Sequence, residues 1–286
     1  MECANSTRTY TGIMHSNLSI KNQIEYKDIN YYPSKYSNQK FEKKVESFKS
    51  YILTLKISFL EGCERISATR ENILQTSMKR SKEINMYKEL KIDFIGEDPN
   101  DAGGIMREWF MIIIEKLESK EMGIFQKNDN DDISFIPRWD LENNQQNKEY
   151  FKFIGFLIAK ALLENITINL CFNKAIYKLI INEPISIDDL KVIDRQLYLS
   201  INDLKKYDKE TLSSFCLYYV FEYKNKNDQL IIDELQPNGS NIPIVDVEDY
   251  AMKRIQYMID KYKPFVDCIK ETLFTVYYNN IIKVYR

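Results

Sequence analysis

The stretch from Tyr150 to Leu163 constrains the fold more than any other part of this chain. Phe151, Ile154, Ile158, Ala161 and Leu162 fall on one face of a helix, and the opposite face is also largely apolar. A helix that is apolar all round has no solvent side, so other elements must pack around it. The chain must therefore supply those elements, and at 286 residues it is long enough for one large domain or two smaller ones.

The surrounding pattern is mostly helical. Phe41, Val45, Phe48 and Ile52 recur at helical spacing, and a second helix is expected after Ser67, carrying Ile73 and Leu74. Leu90, Ile92 and Phe94 alternate with Lys91 and Asp93 as in a half-buried strand. A turn over Gly96–Pro99 follows, and Gly103-Gly104 opens a helix over 105–118 with Ile105, Trp109, Ile112 and Ile113 on one face. Asn128–Asp132 reads as a polar loop. Ser186 with Asp189 resembles a capping box before a short helix carrying Leu190.

The character then changes. Leu197, Ile201 and Leu204 make a helical stripe, and two β-rich runs, 215–223 and 229–235, flank the polar turn 224–227 as in a hairpin. Helical spacing returns from Asp246 through Tyr250, Ile255, Met258 and Ile259. The expected fold is α+β and predominantly helical. It has a partly irregular extension (1–40), a large helical body (41–189 and 249–286) and a small α/β insert (190–248).

Several function classes are unsupported. Forty basic and 42 acidic residues give a net charge of −2, without the basic surplus of a nucleic-acid binder. No apolar run reaches the ~18 residues of a membrane span, and the first twenty residues carry no apolar signal core. Neither GxxxxGK[ST] nor GxGxxG occurs, so a nucleotide loop is not expected. Five widely spaced cysteines without a CxxC pair point to a reducing compartment. With His15 as the single histidine, neither a metal nor a cofactor is expected. Cys171 and Cys216 read as small core hydrophobes, and no cysteine has a histidine neighbour to activate it. Arg107 and Glu108 read as a structural ion pair, so Arg107→Ala should cost stability.

The run Gly96-Glu97-Asp98, Asp101-Ala102-Gly103-Gly104, Arg107-Glu108-Trp109-Phe110 resembles the signature of the HECT family. Supporting motifs keep their order along the chain. They are Arg70-Glu71-Asn72-Ile73-Leu74 with Ser77, Tyr150–Gly155 with Ala159-Lys160-Ala161-Leu162, Phe172 with Tyr177-Lys178, and Leu235-Gln236-Pro237-Asn238-Gly239 with Ile242-Pro243-Ile244. The final residues, 275–280, match poorly, and Asp98-Pro99 stands where the family usually has Glu-Gly.

The resemblance implies the amino-terminal lobe of a ubiquitin ligase, in which the small insert docks a ubiquitin-conjugating enzyme. Carried over by position, that groove would use Leu197, Ile201, Leu204, Tyr207, Leu217 and Tyr250, and Ile201→Asp would disrupt docking without harming the fold. Gly96, Glu97, Asp101, Gly103, Gly104, Arg107, Glu108, Trp109 and Phe110 would be scaffold. The family's catalytic cysteine follows His-Thr, and no cysteine here is preceded by histidine, so no catalytic residue is expected in this chain. The implied partners are a conjugating enzyme, ubiquitin and, through other regions, a protein substrate, in the cytoplasm or the nucleus; nucleic acid and membrane are not expected. The alternative reading is a non-catalytic adaptor that binds conjugating enzyme or ubiquitin.

Overall fold

The apolar stretch forms a helix over Gln145–Glu164, started by the Asn144 side chain accepting from the Asn147 N–H (2.9 Å) and ended by Asn165 in the left-handed region. Residues on several of its sides are buried, among them Phe151, Phe153, Ile154, Phe156, Leu157 and Ala159. It is thus enclosed, as an all-round apolar pattern requires. The computed structural model describes residues 40–97, 102–128 and 131–277.

In chain order the elements are α1 (Phe41–Leu55), β1 (Glu64–Ala68), α2 (Ile73–Ser81), β2 (Leu90–Phe94), α3 (Ala102–Glu118), β3 (Phe125–Asn128), β4 (Asp131–Pro137), α4 (Gln145–Glu164) and α5 (Lys174–Ile180). They continue with α6 (Leu190–Ile193), α7 (Arg195–Leu204), α8 (Lys209–Ser214), β5 (Val220–Lys224), β6 (Leu230–Glu234) and α9 (Val247–Tyr277). The fold is α+β and predominantly helical.

The main packing partner of α4 is α9, whose buried residues Ala251, Ile255, Met258, Tyr262, Phe265, Ile269 and Leu273 recur at helical spacing. Phe151 meets Phe265 with ring centroids 4.8 Å apart. Close approach is possible because α4 has Gly155 at the crossing: a Cβ there would stand 2.7 Å from the Ile269 carbonyl oxygen and 2.9 Å from Thr272 Cβ. Lys160 of α4 is fully buried, donating to the carbonyls of Met86 (3.1 Å) and Lys88 (2.7 Å) and pairing with Glu164 (2.7 Å). The buried cation thereby fastens the loop before β2 to the central helix.

Some local expectations need correction. The residues after Ser67 do not begin a helix: β1 ends at Ala68, and α2 begins only at Ile73. β1 pairs in parallel with β2, Ile66 opposite Ile92, a contact between distant residues that local periodicity does not carry. The polar stretch 128–132 overlaps β3 and β4, which pair antiparallel; the ladder is made by backbone groups and does not require apolar side chains. The first β-rich run is strand only from Val220: residues 215–219 form a turn after α8, with an isolated bridge from Tyr218 to Pro243. Cys171 and Cys216 are exposed, not core; Cys216 takes a left-handed φ of 53°.

Within the Gly96–Phe110 run, Trp109 and Phe110 are packed into the core. Trp109 is fully buried, its indole N–H donating to Ser77 Oγ (2.9 Å), and Phe110 lies beside it at 4.7 Å between centroids. The ion pair, however, is not Arg107 with Glu108. Arg70 holds Glu97 through Nε (2.6 Å) and Nη2 (2.9 Å) and reaches Glu108 at 2.8 Å, with its guanidinium 4.5 Å over the Phe94 ring. Hydrogen bonds from Arg70 keep Glu97 below the ordinary carboxylate range. Arg107 is exposed, because consecutive helical positions point in different directions, and the ground for a stability loss in Arg107→Ala disappears. Gly96 sits in the turn after β2 and Gly104 in the first turn of α3; Asp98, Pro99 and Asp101 lie outside the described residues.

Two outcomes follow from this packing. Gly155→Ala gains about 1 kcal/mol of helix propensity but forces α4 and α9 apart, at a typical overpacking cost of about 1–3 kcal/mol. Urea unfolding should show a net loss of stability. The second concerns Glu118, at the end of α3, where burial and then the neighbouring Glu115 raise the carboxyl from 4.5 to about 7. Its proton is held more tightly folded than unfolded, so this group's contribution to stability falls as pH rises from about 4.5 through about 7. Relative to the parent, Glu118→Gln should therefore gain in melting temperature across that window.

Candidate functional site

The residues singled out for docking converge around a cleft of about 770 Å³ between α7, the segment 216–222 and the start of α9. The helix α7 is capped by Asp194, whose Oδ1 accepts from the Leu197 N–H (2.9 Å). The resulting register turns Leu197, Ile201 and Leu204 to one side, along the cleft. The opposite wall is backbone-anchored. The Ile244 N–H donates to the Leu217 carbonyl (2.8 Å), and the Tyr219 N–H donates to the Gly239 carbonyl (3.2 Å). Gly239 allows this contact, since a Cβ there would run into the Tyr219 carbonyl. The Leu235–Gly239 and Ile242–Ile244 motifs thus hold Leu217 and Tyr218 in place at the rim.

The six residues are not equivalent. Leu197, Leu204 and Tyr250 are half-buried and Leu217 is 38% exposed, all lining the cleft. Ile201 also lines it but is 0% exposed, packed in the core. Ile201→Asp would put an uncompensated charge into that core, so it fails as a variant that spares the fold. Tyr207 does not line the cleft. It is exposed and meets Phe215 edge-on at 5.0 Å, which makes a small aromatic ledge near the rim.

Three residues that sequence reasoning missed shape the interior. Trp139, from the loop after β4, stacks on Tyr262 at 5.0 Å and meets Phe221 at 4.8 Å. Arg254 of α9 lies with its guanidinium carbon 3.7 Å from the centre of the Phe221 ring, and is itself only 8% exposed. Burial lowers its pKa against the opposing pull of Tyr250 and Asp194. A signal for Arg254 did exist: it is a charge four residues after Tyr250 and four before Met258, on the apolar stripe of α9. Trp139 and Phe221 carried no comparable local signal.

The hairpin β5–β6 is held to the body by polar contacts at two places. Asp140 accepts from the Lys226 N–H (2.7 Å) and from Arg138 (2.9 Å). Asp233 accepts from the hydroxyls of Tyr257 and Tyr223 and pairs with Lys261 at 3.2 Å. Burial alone would raise Asp233; the Tyr257 and Lys261 hydrogen bonds outweigh it and keep the carboxylate below its ordinary value. Asp189 is tied to Lys178 (2.6 Å) and to the Ser186 N–H (2.9 Å), which links Lys178 with the Ser186-Asp189 motif, while the Tyr177 hydroxyl accepts from the Phe172 N–H (3.2 Å).

Chemically, this arrangement is suited to binding. The described residues include no histidine, and no group of three or more His, Cys, Asp and Glu side chains that could hold a metal ion occurs among them. The cleft contains one thiol, Cys216, without a paired base among the described residues. No helix among the described residues is long and apolar enough to cross a membrane.

Comparison with known proteins agrees with the motifs. Residues 111–286 match the model of the HECT-domain (ubiquitin-transferase) family. The match begins one residue beyond the Gly96–Phe110 run and takes in the final residues, which fit poorly motif by motif. The probable E3 ubiquitin-protein ligase TOM1 of Eremothecium gossypii is 28% identical over 205 residues, covering 68% of this chain and 6% of that protein. The E3 ubiquitin-protein ligase HUWE1 of Mus musculus is 26% identical over 212 residues, 72% of this chain and 5% of that protein. The E3 ubiquitin-protein ligase ptr1 of Schizosaccharomyces pombe is 27% identical over 180 residues, 60% and 5% respectively. The chain therefore spans about a twentieth of the length of these relatives. With more than half of its length matched, the chain belongs to the HECT-domain (ubiquitin-transferase) family.

Proposed function

We propose that this chain is the docking lobe of a HECT-type ubiquitin ligase, and that its small α/β part, residues 190–248, recruits a ubiquitin-conjugating enzyme. The observation that carries this reading is the rim of the cleft. Leu217 and Tyr218 are both 38% exposed, with Tyr207 and Phe215 beside them, next to half-buried Leu197 and Leu204. Apolar side chains grouped at a concave surface are what an inserted loop of a partner would cover. Each buried apolar side chain contributes roughly 1.5–3 kcal/mol, offset by the entropy of association, so a few anchors give a weak complex. A weak complex suits a carrier that must leave after discharge.

In the whole protein, a cysteine outside this chain would attack the thioester carbonyl of the charged conjugating enzyme. The enzyme's own thiolate leaves, and ubiquitin then passes to a substrate lysine. This chain alone would transfer nothing, since no cysteine in it carries the family's preceding His-Thr pair. A cytoplasmic location, with the nucleus as a second compartment, belongs to the same reading.

Calorimetric titration against a panel of conjugating enzymes tests the docking. At least one should bind saturably, and Leu217→Asp, an exposed position, should weaken it by roughly tenfold or more with the melting temperature unchanged. Absence of binding across the panel would sink the docking reading. Incubation with thioester-charged conjugating enzyme should leave this chain without a reducible ubiquitin adduct on a non-reducing gel. Binding without any relay even when a downstream cysteine lobe is supplied would favour an adaptor.

A further inference from the structure

The hairpin β5–β6 turns one face to the body and the other to solvent. Asp233 lies on the inner face, where it meets Tyr257 and Lys261 of α9. Residues 230, 232 and 234 alternate with it and point outward, as strand geometry requires. Two of the three are apolar: Leu230 is 59% and Ile232 is 53% exposed.

The same alternation decides where the backbone groups point. The Leu235 N–H donates to the Tyr219 carbonyl (2.9 Å) at one end of the ladder, and the Asn225 N–H donates to the Gln229 carbonyl (3.0 Å) at the other. Directly opposed residues of an antiparallel pair alternate between bonded and non-bonded. Ile231 and Asp233 therefore bond to β5, while the N–H and C=O groups of Leu230, Ile232 and Glu234 point away from it. No described residue takes any of those outward groups. β6 has neither Lys nor Pro, and its register with β5 is unbroken, so the devices that usually close an edge strand are missing from it.

The outer face also carries charge. Glu222 stands across from Ile232 and Lys224 across from Leu230. Glu234 lies at the end away from the turn, its carboxylate accepting from the Ser240 N–H (3.0 Å). A second copy of this strand, paired antiparallel about Ile232, would set Glu234 against Leu230 in both halves. A carboxylate gains nothing beside an apolar side chain, whereas a cation opposite it is attracted. The edge thus suits a segment with a basic residue opposite Glu234 and apolar residues opposite Ile232 and Leu230.

We propose that β6 takes up an extended peptide segment of another protein as a third, antiparallel strand, reading a basic–x–apolar–x–apolar pattern. Main-chain hydrogen bonds supply the affinity and alternate side chains the selectivity. The inference does not rest on the docking reading: the cleft runs along Val220–Glu222 of β5, and no residue of β6 lines it.

The test is fluorescence anisotropy of a labelled peptide, TKTVTVT, titrated with the full chain. Its lysine falls opposite Glu234 and its valines opposite Ile232 and Leu230. Binding should saturate below about 1 mM. Methylating the amide nitrogen of the first valine removes a donor aimed at β6 and should weaken binding by roughly tenfold or more. Methylating that of the next threonine, which faces away, should change it by less than about twofold. The neutral peptide TATVTVT should bind roughly twofold to fivefold more weakly, and Glu234→Gln should erase that difference. Ile232→Pro, whose lost N–H makes no bond to β5, should abolish binding. No saturation up to about 1 mM, equal affinity of the two methylated peptides, equal affinity of TKTVTVT and TATVTVT, or binding undiminished in Ile232→Pro would each overturn the proposal. So would a dimer in sedimentation that Ile232→Pro dissociates, since a second copy would then hold the edge. Should Ile232→Pro fail to fold, the methylated peptides on the parent chain still decide it. No arm contains a conjugating enzyme, so failure here leaves the docking reading untouched.

Discussion

The contact between α4 and α9 is the constraint from which the rest of the structure follows. Both helices bury more than a single stripe of residues, and at Gly155 their backbones come within the reach of a carbonyl oxygen. Ridges of bulky side chains cannot interlock that closely without a small residue at the crossing. Once the two helices are fixed, α5 finds its place against α9, and α2 packs against α4. The cleft inherits the same geometry: Tyr250 and Arg254 stand on the first turns of the helix whose second half meets Gly155. The cleft is therefore built on the core itself and not on a separate support.

Polar contacts add definition where apolar packing would leave freedom. Lys160 fixes the loop before β2 by two backbone carbonyls, and Arg70 gathers Glu97 and Glu108 against Phe94. Asp140 and Asp233 hold opposite ends of the β5–β6 hairpin. In each case one charged group satisfies several partners, so breaking a single contact leaves the others in place. For the exposed Arg70 pairs this specifies geometry more than it stabilises, since surface pairs contribute little, whereas Lys160 is fully buried and losing its partners would leave a costly uncompensated charge.

The long apolar-periodic elements were legible from the sequence because their signal is local. The all-round apolar pattern of α4, the stripe of α7 and the alternation of β2 each reflect burial within one element. The strand β1 was missed because a short parallel strand owes its existence to a partner about twenty-five residues away. Position on a helix was legible but exposure was not, since Ile201 and Leu204 share a stripe while only Ile201 is wholly covered. The Arg107–Glu108 pairing failed for a related reason: adjacency in sequence is not adjacency on a helix, and Arg70, from the segment before α2, took Glu108 instead. Cys216 reads as a core residue because it falls in a β-rich run, whereas its left-handed backbone places it in a turn at the cleft.

The length of α9 turns local events into distant ones. Thirty-one residues at about 1.5 Å each make a rod of about 46 Å, with Pro264 within it. Its beginning forms a wall of the cleft, and its last turns lie beside Tyr87, whose hydroxyl donates to the Val276 carbonyl (3.1 Å). By lever arithmetic, a pivot of about one degree at the cleft end sweeps the far end through about 0.8 Å. That displacement is enough to break one hydrogen bond of ordinary length and to bring another into range.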